Sequence, residues 1–156
     1  MEKKNNQLIV NAIENGMVLD HIPSESIFEV IDILGLSSCA NQITIGINLE
    51  SKSLGKKGII KVADRYFKND EINRIALVAP KATINVIKDY KVVEKKTISI
   101  PDEIEGLAKC SNPLCVTNNQ AIKTKFKTVV KENTIEFVCR YCEKTTDIKS
   151  LKIIPQ

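Results

Sequence analysis

The sequence predicts an α+β chain: an N-terminal ferredoxin-like α/β sandwich, an antiparallel sheet with two helices on one face, followed by a small all-β zinc-binding domain. Three observations carry that expectation. Apolar, β-branched runs alternate with two helix-patterned stretches in the order β-α-β-β-α-β, with one further strand. The strand pattern then breaks at "IPDEIEGLAKC". Beyond the break, four of the five cysteines fall in two tight pairs, "CSNPLC" at 110–115 and "CRYC" at 139–142.

Taken in order, "GMVLDHI" (16–22) reads as a strand bounded by Gly16 and Pro23. "PSESIFEVIDILGL" reads as a helix: Ser24 or Ser26 is placed to cap it, Ile27, Val30, Ile31 and Leu34 recur at helical spacing, and Gly35 sits where helices stop. "QITIGINL" (42–49) is a strand, "SKSLGKKG" (51–58) a polar loop, and "IIKV" (59–62) a strand again. The second helix is expected from about Asn69 to Val78. Asp70 and Glu71 suit its positive end, Ile72, Ile75, Ala76 and Ala79 form its apolar face, and Pro80 forces an exit. "ATINVI" (82–87) and "YKVVEKKTI" (90–98) flank Lys88-Asp89, a link suited to a hairpin. A linker is expected at about 99–106, dividing the chain into domains 1–101 and 102–156. The strand-like segments "KTKFKTVVK" and "TIEFVC" lie in the second.

A chain of 156 residues with 43% hydrophobic residues has enough apolar material for a packed core. No run approaches the roughly 20 apolar residues of a membrane span, and the N-terminal stretch lacks a signal-peptide core, so no membrane association and a cytoplasmic location are expected. The net charge of +4 is not concentrated: residues 102–156 hold nine basic against seven acidic side chains, and residues 1–101 fourteen against twelve. Backbone-phosphate binding shows clustered basic residues and stacking aromatics. Here the aromatics total 4% and tryptophan is absent, which disfavours the rival reading as a zinc-ribbon nucleic-acid-binding protein.

The cysteine spacing is C-x4-C, 23 residues, then C-x2-C. Each short loop supplies two sulfurs from one turn, and the long insertion lets two hairpins meet around a tetrahedral ion. Cys110, Cys115, Cys139 and Cys142 are therefore the candidate ligands of one structural Zn²⁺ per chain, since thiolates with no open position suit structure rather than catalysis. Two disulfides, iron–sulfur ligation and chance burial are the alternatives. Cys39, alone after the first helix, reads as a packing residue.

Asp20-His21 resembles a catalytic pair, yet neighbours on a strand point to opposite faces, so a relay is not expected. An enzyme built on that pair would show turnover by the isolated chain. No nucleophile elbow or phosphate-binding glycine loop accompanies it. Lys61 and Lys95 stand in or beside apolar strands, where they would gather a polyanion, with Asp20 or Asn85 sharing hydrogen bonds with a ribose or base. Lysines that keep edge strands from aggregating explain them equally well.

Nearly the whole chain resembles the regulatory chain of aspartate carbamoyltransferase. The resemblance runs from "LIVNAIENGMVLDHIP" through "ITIGINL", "GKKGIIKV", "ALVAPKATINVI" and "YKVV" to "CSNPLC" and "CRYCEK". It implies a non-catalytic chain whose first domain binds nucleoside triphosphates, CTP and ATP with UTP a further candidate, and whose zinc domain docks on catalytic chains. It implies that Asp20, His21, Lys61 and Lys95 contact ribose and phosphates, and that Val10, Ile13, Asn85, Ile87, Tyr90 and Val92 form the base pocket. The four cysteines match the zinc ligands, and Asn112, Glu143 and Lys144 fall where that domain faces the catalytic chain. A homodimer through the N-terminal domain is implied, within a dodecamer of two catalytic trimers and three regulatory dimers. Three positions depart from the family's pattern: Asn11 replaces an acid, Glu94 replaces a glycine and puts an anion beside the expected phosphate site, and Leu114 replaces a polar residue in the first cysteine loop.

Overall fold

The computed structural model describes residues 12–155, so Val10 and Asn11 of the expected nucleotide pocket lie outside the described residues. The chain divides into two compact units. The first takes in 12–27, Ala40–Phe67 and Ala82–Thr97, the second Phe28–Cys39, Lys68–Lys81 and 98–155.

Five strands make up the first unit: β1 (Gly16–Pro23), β2 (Ile43–Ser51), β3 (Gly55–Ala63), β4 (Thr83–Lys88) and β5 (Lys91–Thr97). All neighbours are antiparallel, and the spatial order is β2-β3-β1-β4-β5. Helix α1 (Ile27–Ile33) follows β1 and α2 (Asn69–Val78) follows β3. The expected α+β order, with its extra strand, is what the chain forms. Side chains of directly opposed residues share a face. The pairs Met17↔Val62, Leu19↔Ile60 and Leu19↔Ile84 therefore assemble one apolar face, and all five residues are buried.

Several local expectations are corrected. The stretch 51–58 is not all loop: β2 and β3 form a longer hairpin, with only 52–54 between them, and the Ser51 hydroxyl accepts from the Leu54 amide at 3.3 Å. Helix α1 is shorter than its sequence suggests, because a 3₁₀ turn at Ser24–Ser26 precedes it. No serine caps it. Pro23 holds the cap position of that 3₁₀ turn, and the Ser24 hydroxyl accepts from the Asn48 amide at 3.2 Å. Gly35 does end the helix, in the left-handed conformation at φ 60°. The β4–β5 turn is Asp89-Tyr90, one residue later than expected. Both residues have positive φ, as a tight hairpin turn of matching twist requires, and the turn is held by Tyr90 N–H donating to Glu14 O at 2.9 Å.

In the second unit, α2 spans the expected residues. The Glu71 carboxylate accepts from the Lys68 amide at 3.1 Å, which satisfies one of the helix's exposed N-terminal donors. The unit also holds most of α1 and, after residue 97, β6 (Glu103–Glu105), β7 (Ala108–Lys109), α3 (Val116–Asn119), β8 (Lys125–Val130), β9 (Ile135–Cys139), β10 (Thr145–Asp147) and β11 (Lys152–Ile153). Strands β10-β9-β8-β6 form one antiparallel sheet, and β7 pairs β11 in a separate ribbon. The stretch expected as linker at 99–106 therefore contains a strand, because Glu103–Glu105 pairs with Lys125–Lys127 of β8. Ile104, Leu107, Phe126, Phe137 and Leu151 form a core that also takes in Leu77 of α2. Arg74 of α2 donates from Nε to Ile154 O at 3.1 Å, fastening the same helix to the C-terminal segment.

Gly16 is the position where the sheet tolerates no side chain. At φ +137° an added Cβ would lie 2.1 Å from Val62 O, a backbone atom that cannot swing away. Gly16→Ala is expected to lower stability by at least about 2 kcal/mol in urea unfolding. An unchanged midpoint would contradict the close strand approach at this end of β1.

Candidate functional site

The four paired cysteines converge. Cys110 Sγ lies 3.6 Å from Cys142 Sγ and Cys115 Sγ 3.8 Å from Cys139 Sγ, and all four sulfurs lie within 4.8 Å of one another. Tetrahedral ligation at about 2.3 Å per sulfur places sulfurs about 3.8 Å apart. All four are free thiols, whereas a disulfide would need about 2.05 Å between sulfurs. The donor set thus fits a single four-coordinate ion with no open position.

Local chemistry builds each loop. In the first, the Asn112 side chain accepts from the Leu114 amide at 3.0 Å. The Asn118 amide donates to Cys110 O and Asn112 O, and Asn119 donates to Pro113 O and Cys115 O, so α3 braces the whole turn. In the second, Glu143 takes a left-handed conformation and donates its amide to Cys139 O at 2.9 Å, turning the chain back on itself. The Ser111 and Thr146 hydroxyls meet at 2.8 Å and tie the first loop to β10. Burial pushes the Cys110 thiol up to about 12, with the neighbouring thiols adding to the rise, and it raises Cys139 as well. At Cys142 burial also acts upward, but hydrogen bonds from the Lys144 backbone and the Asn112 side chain outweigh it and leave the thiol at about 7. Crowded, buried thiols resist ionising together unless a cation compensates them. Cys39 does not join the cluster.

A second constellation lies on the sheet of the first unit. Lys61 opposes Val18, Val18 opposes Asn85, and Asn85 opposes Lys95, so these four form one row across β3, β1, β4 and β5. Two residues further along β1, Gly16 opposes Ile87, which opposes Val92 across the β5 irregularity; in the other direction Asp20 opposes Thr83. The register thus brings Asp20, Lys61, Asn85, Ile87, Val92 and Lys95 to the face opposite the buried Leu19–Ile60 set. Along about 13 Å of strand this face changes from apolar to charged. Tyr90 is largely exposed in the turn at the apolar end, bonded to Glu14, and half-buried Ile13 is next to Glu14 in the chain.

His21 departs from strand geometry. The β1–β3 register shifts between Leu19 and Ile22, and His21 has φ 57°. Strict alternation therefore fails where it was expected to separate Asp20 from His21. The His21 amide donates to Asp20 Oδ1 at 2.6 Å, and its Nδ1 lies 3.3 Å from Thr83 Oγ1 and 3.8 Å from Asp20 Oδ1. The pair adjoins without the side-chain hydrogen bond a relay needs. Lys57, missed when 51–58 was read as loop, pairs with Asp20 at 2.9 Å. An even spacing from Lys61 was the signal that would have found it. Burial acts to raise the Asp20 pKa, but Lys57 and the His21 amide outweigh it and hold the carboxyl below its ordinary value. Burial lowers the Lys61 pKa, against the opposing pull of Asp20. Asn85 Oδ1 is buried and meets no hydrogen-bond partner among the described residues. Glu94 lies on the face of β5 opposite to Lys95: it opposes Val86 and pairs with Lys96 at 3.2 Å.

A sheet face that grades from apolar to cationic, with a tetrathiolate module behind it in the chain, defines a two-part α+β binding protein with a metal-binding tail. Comparison with known families is specific. The model for the aspartate carbamoyltransferase regulatory chain, allosteric domain, matches residues 8–99, and that for the metal binding domain of the same chain matches residues 102–152. The regulatory chain from Bacteroides fragilis is 49% identical over 154 residues, covering 99% of this chain and 100% of the relative. The one from Pyrococcus horikoshii is 46% identical over 143 residues, covering 90% and 93%. This chain belongs to the family of aspartate carbamoyltransferase regulatory chains, and is a regulatory rather than a catalytic subunit. None of its described helices is long and apolar enough to cross a membrane.

The Asp20 interaction makes a signed prediction. A carboxyl with a depressed folded-state pKa contributes stability that is present above its unfolded value of about 4 and is lost as pH falls through the folded value. Lys57→Met should raise the Asp20 pKa, measured by carboxyl NMR titration, and move this acid-side loss of stability to higher pH. An unmoved titration would show that Lys57 does not hold Asp20.

Proposed function

We propose that domain 1–101 binds the effectors CTP and ATP, with UTP a further candidate, and that domain 102–156, holding one Zn²⁺ on Cys110, Cys115, Cys139 and Cys142, docks on the catalytic chains. The observation that carries the nucleotide reading is the row Lys61–Val18–Asn85–Lys95, where two cations flank a buried acceptor with no partner of its own. An orphaned buried acceptor costs about 1–3 kcal/mol unless something donates to it, and a ribose hydroxyl or a base amine would. Lysines suit phosphates as mobile point charges. The apolar end, with Ile13, Ile87, Tyr90 and Val92, suits a base, and Val10 belongs with it by family pattern. Asp20 and His21 complete the ribose and phosphate contacts at the other end.

Zinc is supported by the sulfur spacing and by a ligand set of four thiolates. When bound, the ion supplies the charge compensation and cross-linking that hold the two cysteine loops together. The protein's part is to present Asn112, Glu143 and Lys144 on those loops toward the catalytic chain. A homodimer through the N-terminal domain is in keeping with β2 and β5, which each have one hydrogen-bonding edge unpaired among the described strands. Two catalytic trimers and three such dimers would make the holoenzyme, working in the cytoplasm. Effectors change its activity only through differential affinity for its quaternary states, a coupling of about 1–3 kcal/mol.

Co-purification with the catalytic chains, then velocity against aspartate with and without CTP, ATP and UTP, tests this function. Effector-shifted curves are expected, together with release of unregulated catalytic trimers when the metal is chelated. An assembly that survives metal removal would refute the docking role. Lys95→Ala should weaken nucleotide binding at least about tenfold in calorimetry while metal content stays unchanged; unaltered affinity would refute the phosphate assignment.

A further inference from the structure

The hydrogen bonds that end on the four sulfurs differ in kind. Main-chain N–H groups supply several of them: Asn112 donates to Cys110, Tyr141 and Cys142 donate to Cys139, and Lys144 donates to Cys142. No side-chain substitution removes such a donor. The Asn112 side chain adds a further bond to Cys142. Cys115 receives a hydroxyl: Thr117 Oγ1 donates to its Sγ at 3.2 Å. Helix α3 places that hydroxyl. Cys115 is the N-cap, and the Asn118 amide donates to Cys115 O at 3.0 Å, so the turn folds back onto the residue that bears the sulfur. Cys115 is 1% exposed, whereas Thr117 is half-buried and lines a cleft of about 590 Å³ that Cys115 does not line. The Thr117 side chain thus touches both the buried sulfur and the cleft.

Four thiolates on one divalent ion keep an excess of negative charge on sulfur, and a donor aimed at a buried thiolate stabilises that charge. A sulfur relieved in this way is a weaker nucleophile and takes up a proton less readily, and groups that orient and tune a ligand in this manner govern how firmly an ion is held. We propose that Thr117 is a positioning residue of the metal site: its hydroxyl fixes the Cys115 side chain and draws charge from its thiolate, so that bound zinc is released slowly. The inference rests on the zinc reading above and deepens it. Asn118 and Asn119 brace the first cysteine loop through main-chain carbonyls, whereas Thr117 acts on the sulfur itself.

The test uses the full chain. Transfer of zinc to a chromogenic chelator is timed for the zinc-loaded protein, and the sulfur-to-metal charge-transfer band is recorded for the cobalt(II)-loaded protein. Thr117→Val keeps the side chain's shape and removes the hydroxyl. Zinc transfer is then expected to be about tenfold faster, and the band should move to lower energy because the sulfur electrons are less tightly held. Thr117→Ser keeps the hydroxyl and should match wild type in both measurements. Thr117→Ala should follow Thr117→Val, which keeps the test valid where valine disturbs folding. Asn119→Ala loosens the loop's main chain without touching a sulfur and should leave the band in place. The proposal is overturned by a Thr117→Val variant that releases zinc at the wild-type rate, or by a serine variant that behaves like valine. Faster release with an unmoved band, or an Asn119→Ala shift as large as that of Thr117→Val, marks a merely structural role and overturns it as well. Wild-type chain that holds no zinc is a separate result and removes the metal reading itself.

Discussion

The convergence of four sulfurs is the constraint on which the second unit rests. Cys110, Cys115 and Cys139 are buried members of its core, so the metal site and the hydrophobic core are one structure. Phe126 of β8 lies directly opposite Cys139, the last residue of β9, and the sheet therefore ends on a ligand. With Phe126, Phe137, Ile104, Leu107 and Leu151 as its main bulk, such a core is small, and cross-linking by an ion supplies order that apolar burial alone would not. Removing the ion would leave four thiols at contact distance, with Cys110 and Cys139 buried and reluctant to ionise. The loops that the sulfurs organise also carry Leu114, Glu143 and Lys144, so any surface made by those loops inherits its geometry from the cluster.

On the sheet the governing constraint is register. Asp20, Lys61, Asn85 and Lys95 are far apart in sequence, and three strand pairings put them on one face. The same alternation sends Glu94 to the other side, where Lys96 neutralises it, so the acidic replacement there does not oppose the lysine row. One irregularity in β1 breaks the alternation at His21 and brings the ring beside Thr83 and Asp20. Lys57 pairs with Asp20, and Asp20 also acts on Lys61 in the neighbouring row.

Helix α2 bears on how the two functions share a chain. It follows β3, the strand of Lys61, after a short connection, yet its Leu77 belongs to the core around the cysteines and its Arg74 holds the C-terminal segment. Allosteric control is a coupling free energy between two distinct sites. The family to which this chain belongs is one of regulatory rather than catalytic subunits.

Much of this was legible in the residues themselves. Period-two apolar alternation and helical spacing are local signals, so β1, β4, β9 and α2 fall where those patterns place them, and the C-x4-C and C-x2-C pairs state their chemistry because ligand spacing is itself local. What local pattern could not supply was anything set by a partner strand. Polar residues at 55–58 became strand because β1 and β2 supply their hydrogen bonds, the supposed linker acquired β6 because β8 was available to pair with it, and Ser24 bonded Asn48 rather than capping α1. The sequence by itself determined where the strongly patterned strands and α2 form and which four sulfurs belong together. Only the tertiary structure decided which face each lysine and carboxylate occupies, because a side chain's face depends on strand register and on one bulge, and both are properties of paired strands rather than of any single segment.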